Sequence, residues 1–91
     1  MSSFTFERGE VREFDVMKGF DPEPGPGNLH DYFFASGTPA AETSAGRFID
    51  SEGPVYTFQA GEVPSTYTFN FTIGWRGSTA TQQYPVSIIV R

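Results

Sequence analysis

The stretch Tyr67-Thr68-Phe69-Asn70-Phe71-Thr72-Ile73 alternates apolar and polar residues with a period of two. Tyr67, Phe69, Phe71 and Ile73 share one side of an extended backbone, and Thr68, Asn70 and Thr72 share the other. Only a strand with one buried and one solvated face wants that pattern, because successive side chains leave a pleated backbone on opposite sides. Gly74-Trp75-Arg76-Gly77-Ser78 follows, and a second apolar run, Tyr84-Pro85-Val86-Ser87-Ile88-Ile89-Val90, closes the sequence. The two runs predict a long antiparallel hairpin with Trp75 and Arg76 at or beside its tip.

Outward from that hairpin, short apolar runs alternate with turn residues. Phe4 and Phe6 share a face of a strand over residues 2–7, and Arg8-Gly9-Glu10 is a turn. Residues 11–17 form a second strand, with Phe14 and Val16 on one side and Glu13 and Asp15 outward. These two are expected to pair as an N-terminal hairpin. The segment Asp21-Pro22-Glu23-Pro24-Gly25-Pro26-Gly27 cannot be a central strand or an ordinary helix, since each proline fixes φ and removes a donor. It reads as a long loop, either a binding surface or a crossing between sheets. Residues 29–35 return to strand, residues 36–46 read as a loop with a helical turn at 40–44, and residues 47–50 are a short strand. Ser51-Glu52-Gly53-Pro54 is a tight turn, and residues 55–59 are a strand that precedes the Tyr67 run. The count is about seven strands, as expected of a two-sheet sandwich.

The 91 residues make one domain. A chain of this size buries about 60–65% of the surface its unfolded form exposes, enough for one modest core. With no cysteine, neither disulfides nor thiolate metal sites supplement that core. Packing must supply the stability, and the ten Phe, four Tyr and one Trp are its source. A net charge of −5 with six scattered basic residues argues against nucleic acid. No basic amphipathic helix or long apolar span points to a membrane. The opening Met-Ser-Ser-Phe-Thr-Phe-Glu carries no leader, which implies a product that stays in the cytosol where it was made, or one whose leader has been removed.

The last third has a further property. Phe58-Gln-Ala-Gly61, Ser65-Thr-Tyr67-Thr-Phe69-Asn-Phe71-Thr-Ile73, Gly77, Thr79-Ala-Thr81-Gln and Tyr84-Pro-Val86-Ser-Ile88-Ile-Val90 resemble the closing hairpin of bacterial and phage immunoglobulin-like (cadherin-like) modules. The resemblance covers residues 55–91. It implies a β-sandwich without enzymatic activity, of a kind found as repeats in secreted adhesins and as single modules in virions of tailed bacteriophages. Calcium-binding members place an aspartate just after the first of these strands, whereas Ile73 is followed by Gly74-Trp75-Arg76. The resemblance therefore implies the fold and not a calcium site.

Candidate chemistry is sparse. His30 is the single histidine, and Asp31 beside it on a strand points to the opposite face, so no nucleophile–base–orienter set forms. The pairs Glu7/Glu10, Asp21/Glu23 and Asp50/Glu52 lack a cleft for glycoside hydrolysis and the spacing of an EF-hand, and read as solvated loop charge. Asn70-Phe71-Thr72 matches the N-glycosylation pattern but lies mid-strand, and reads as coincidence. Trp75 beside Arg76 has the composition of an interaction hot spot; the competing reading folds Trp75 back as a lid on the core. Phe20 is a second candidate anchor. Phe33 and Phe34 must place one ring on each face of their strand, and Phe34 is read as the partner-facing one.

These readings converge on an all-β fold, an immunoglobulin-like antiparallel β-sandwich of about seven strands. The expected role is non-enzymatic, without cofactor or metal. It is a structural or accessory protein-binding module of a phage virion, such as a capsid decoration (cement) or tail-associated protein, made in the host cytoplasm. Trp75, Arg76, Phe20 and Phe34 would face capsid or tail subunits in many symmetric copies, or further copies of the chain. The alternative is an extracellular carbohydrate-binding or adhesion module, secreted or at the cell surface, with Trp75, Tyr32 and Tyr84 as a flat platform for sugar rings.

Overall fold

The computed structural model describes residues 2–18 and 31–91, where all regular structure is strand. Phe20, the proline-rich stretch and His30 lie outside the described residues. Eight strands follow one another: β1 (Ser2–Phe6), β2 (Val11–Asp15), β3 (Tyr32–Ser36), β4 (Glu42–Thr43), β5 (Gly46–Glu52), β6 (Val55–Ala60), β7 (Ser65–Trp75) and β8 (Thr81–Val90). They form two four-stranded sheets, sheet A in the order β1-β8-β7-β3 and sheet B in the order β2-β6-β5-β4.

The β7–β8 hairpin is the spine of sheet A. Its register runs without a break from Ser65 opposite Val90 to Gly74 opposite Thr81. The alternation predicted for residues 67–73 continues one step further than expected, so that Phe69, Phe71, Ile73 and Trp75 are all buried. Gly77, with φ 79°, takes the left-handed conformation that the turn needs.

The expected N-terminal hairpin does not form. β1 lies parallel to β8, with Phe4 opposite Ile88 and Phe6 opposite Val90, while β2 pairs antiparallel with β6 in the other sheet. The turn between them passes the chain from sheet A to sheet B. It is closed by the Glu10 N–H donating to the Glu7 carbonyl (3.1 Å), and the Gly9 N–H donates to the Gly61 carbonyl (3.1 Å) beyond the end of β6. A three-residue turn signal suits a hairpin and a corner between sheets equally well. The partner strand decides, and β1's partner lies at the far end of the sequence.

The eighth strand, β4, falls where a helical turn was expected at residues 40–44. Thr43 explains the difference: its Oγ1 accepts the N–H of Ala45 (3.1 Å) and of Gly46 (3.1 Å) and donates to the Gly46 carbonyl (2.8 Å), closing a tight turn into β5. Gly46 is required there. Its φ is 148°, and a Cβ would run into the Gln59 carbonyl oxygen and stand 2.8 Å from Cζ of Phe58.

The core is a ring stack shared by both sheets. Phe6 meets Phe58 edge-on at 5.3 Å, Tyr56 meets Phe69 at 5.6 Å, and Phe48 meets Phe69 at 5.6 Å, all at steep interplanar angles. That geometry sets the positive ring edge against the negative face, adding about 0.5–1.5 kcal/mol per pair beyond area burial. Val86, Ile88 and Val90 fill the gaps from β8.

Candidate interaction surface

Of the contact residues expected from sequence, Phe20 lies outside the described residues and the other three fall in different environments. Trp75 is not at an exposed tip: it is 2% exposed, as the last inward residue of β7. The lid reading fits this position. Its Nε1 has no hydrogen-bond partner among the described residues. Phe34 is also corrected, for it points inward opposite Ile73 and stacks on Phe71 at 6.2 Å. Phe33 is the outward ring of the pair and is 40% exposed. With Trp75 buried and Tyr32 and Tyr84 half-buried, these three do not form a flat exposed platform.

Phe33 and Arg76 are brought together. Phe33 pairs across the strands with Gly74, and its ring lies over that glycine, where a Cβ would stand 2.8 Å from Cζ of Phe33. The Arg76 guanidinium sits 5.8 Å from the Phe33 ring centre, and its Nε lies 3.4 Å from Asp31 Oδ1. The Arg76 N–H donates to the Asp31 carbonyl at 3.0 Å. Both side chains of this ion pair are about half exposed, so it contributes about 0–1 kcal/mol and mainly fixes the start of β3 against the hairpin turn.

The two outer sheet faces differ in charge. On sheet A, β7 directs Thr66, Thr68, Asn70 and Thr72 outward, and β8 sets Ile89, Ser87, Pro85 and Gln83 opposite them. Ser3 and Thr5 extend the face at one edge, and Phe33 and Ser36 at the other. None of these side chains is charged. Thr68 and Ser87 share a hydrogen bond of 3.0 Å across the strands. Among the described residues, charge enters only at the ends, with Arg76 at one and the Arg91–Glu7 pair (3.9 Å) at the other. On sheet B, the cross-strand rows are Glu13–Thr57–Asp50 and Asp15–Val55–Glu52, with Arg47 beside Gln59 the one cation in this set.

The sheet edge formed by β1 is closed by an arginine. Arg12 leaves β2, donates to the Thr5 carbonyl at 2.7 Å and lays its guanidinium 4.3 Å from the Phe6 ring centre. The Thr5 carbonyl points away from β8, since the neighbouring Phe6 carbonyl accepts the Arg91 N–H. Arg12 thus occupies a carbonyl that would otherwise offer itself to another strand.

Asp21 and Glu23 lie outside the described residues, and carboxylates of the other two pairs take part in local structure. Glu10 accepts the Glu7 N–H (2.9 Å) and lies 3.7 Å from Arg12, and Asp50 accepts the Ser51 N–H (2.8 Å). No group of three metal-ligating side chains occurs among the described residues. Between the β4–β5 turn and the β6–β7 loop lies an open depression of ≈ 380 Å³, bordered by Glu42, Arg47, Glu62 and Val63. The charge sorting of the faces was missed in the sequence reading; the alternating Thr-Thr-Asn-Thr of β7 was the signal for half of it. Comparisons with protein-family models, curated proteins and solved structures found no match to this chain.

Proposed function

We propose that this chain is an immunoglobulin-like module with a structural, protein-binding role, and that it serves as a component of a phage-type virion, on the capsid surface or the tail. The observation that carries the reading is the strand order: β1 runs parallel beside β8, and β2-β6-β5 lies across from β8-β7-β3. This arrangement supports the immunoglobulin-like assignment, with β4 as an added two-residue strand on the edge of β5. It agrees with the resemblance over residues 55–91 and extends the same topology to the N-terminal half. The side chains reinforce it, since most of the described aromatic residues pack in one core, and Glu10 and Asp50 bond to nearby backbone. Docking through a sheet face or loops to a repetitive assembly lets many weak contacts add. The test is detection of the chain by mass spectrometry in particles banded on a density gradient from cultures that make it. Its presence at many copies per particle is expected; its confinement to the soluble fraction would refute the virion role.

A further inference from the structure

We propose that the outer face of sheet A is the contact surface of a symmetric dimer of this chain. The inference stands on the charge distribution of the two sheets and not on the virion reading. A chain of net charge −5 repels its own copies, and the cost depends on which surfaces meet. Two copies meeting through sheet B would bring Glu13, Asp15, Asp50 and Glu52 against the same four carboxylates. Two copies meeting through sheet A bring no charged side chain of the described residues to the centre, and both acidic faces remain in water.

The chemistry of the face fits a copy of itself. A two-fold contact apposes identical surfaces, so every group must be able to pair with its own kind. Carboxylates only accept hydrogen bonds, and cannot do this. The hydroxyls of Thr66, Thr68 and Thr72 and the amides of Asn70 and Gln83 both donate and accept, and can. Phe33 and Ile89 add apolar contact on either side of that polar strip. The area is adequate for a modest dimer. Strand residues rise about 3.4 Å each and strands lie about 4.8 Å apart, which gives the face roughly 500–700 Å². Two such faces bury about 1,000–1,400 Å², at the lower end of specific interfaces.

Sedimentation equilibrium of the full chain over about 1–500 µM tests this, with a dissociation constant of about 10–100 µM expected for an interface of this size. Because like net charges oppose association, raising the salt to about 0.5 M is expected to tighten the dimer. The isosteric pair Asn70→Asp with Gln83→Glu places four carboxylates in the contact and is expected to weaken it at least about tenfold. Thr57→Asp, on the acidic face, leaves it unchanged. Melting curves of both variants establish that they fold. A wild-type chain that is monomeric over the whole range overturns the proposal. So does a dimer unmoved by the Asn70/Gln83 variant, or one weakened equally by Thr57→Asp.

Discussion

Removing the hydroxyl of Tyr56 isolates, among the described residues, the buried titratable group whose ionisation the fold opposes. Tyr56 is 1% exposed, and its Oη donates to the Gly37 carbonyl at 2.8 Å, tying β6 to the segment that follows β3. In Tyr56→Phe the ring and its contacts with Phe14, Phe48 and Phe69 stay, and a single hydrogen bond goes. Gly37 is half-buried, so water reaches the abandoned carbonyl, and the loss at neutral pH is about 1 kcal/mol, or about 4–8 °C in Tm. Burial raises the Tyr56 pKa above its ordinary value. The folded state therefore keeps the proton where the unfolded chain releases it. The stabilisation is complete below about pH 10 and is lost as pH rises from there through the folded value. While the folded phenol stays neutral, ionisation of the unfolded one costs at most about 1.4 kcal/mol of stability at pH 11, a cost the phenylalanine variant escapes. The wild-type advantage over the phenylalanine variant is then expected to shrink as pH rises above about 10. Urea unfolding followed by circular dichroism across that range reads both effects. Parallel curves, with the wild type ahead by the same margin at neutral and alkaline pH, would refute the assigned burial of this phenol.

Two further substitutions test the turn and the sheet edge. Gly46→Ala is expected to cost about 3 kcal/mol or more, because a left-handed φ and a collision with the Gln59 carbonyl act together; urea midpoints measure it, and a loss under 1 kcal/mol would contradict the turn geometry. Arg12→Ala removes the bond to Thr5 and the cover over Phe6 and is expected to cost about 1–2 kcal/mol. It also removes the partly exposed pair with Glu10, which salt screens, whereas the other two contacts involve no carboxylate, so most of the difference in urea midpoint should survive in about 0.5 M salt.

Sequence alone revealed what is local and periodic. The β7–β8 hairpin, the inward set of Phe14 and Val16, and the split between Phe33 and Phe34 all follow from alternation within one strand. Which ring of that pair faces out was not legible, since the sign depends on register with β7: Phe33 meets the small Gly74 and Phe34 meets Ile73. Trp75 misled because the preceding glycine looks like the start of a turn. Gly74 is in fact the last outward residue of β7, shielded by the Phe33 ring, and the alternation simply continues past it. The pairing of β1 and the charge sorting of the faces are long-range properties. Glu13 and Asp50 lie far apart in sequence and share a face only because β2 and β5 both flank β6.

The parallel seam between β1 and β8 has a consequence for synthesis. Phe6 is opposite Val90, and its carbonyl takes the N–H of Arg91, so the first strand finds its neighbour only after β8 has been synthesised. Until then Phe4 and Phe6 lack the strand they pair with, and the growing chain carries bare aromatic rings. Such long-separation pairing places folding in the slow range of milliseconds to seconds. Cells that make this protein are therefore expected to yield more of it when holding chaperones shield β1 until β8 has emerged.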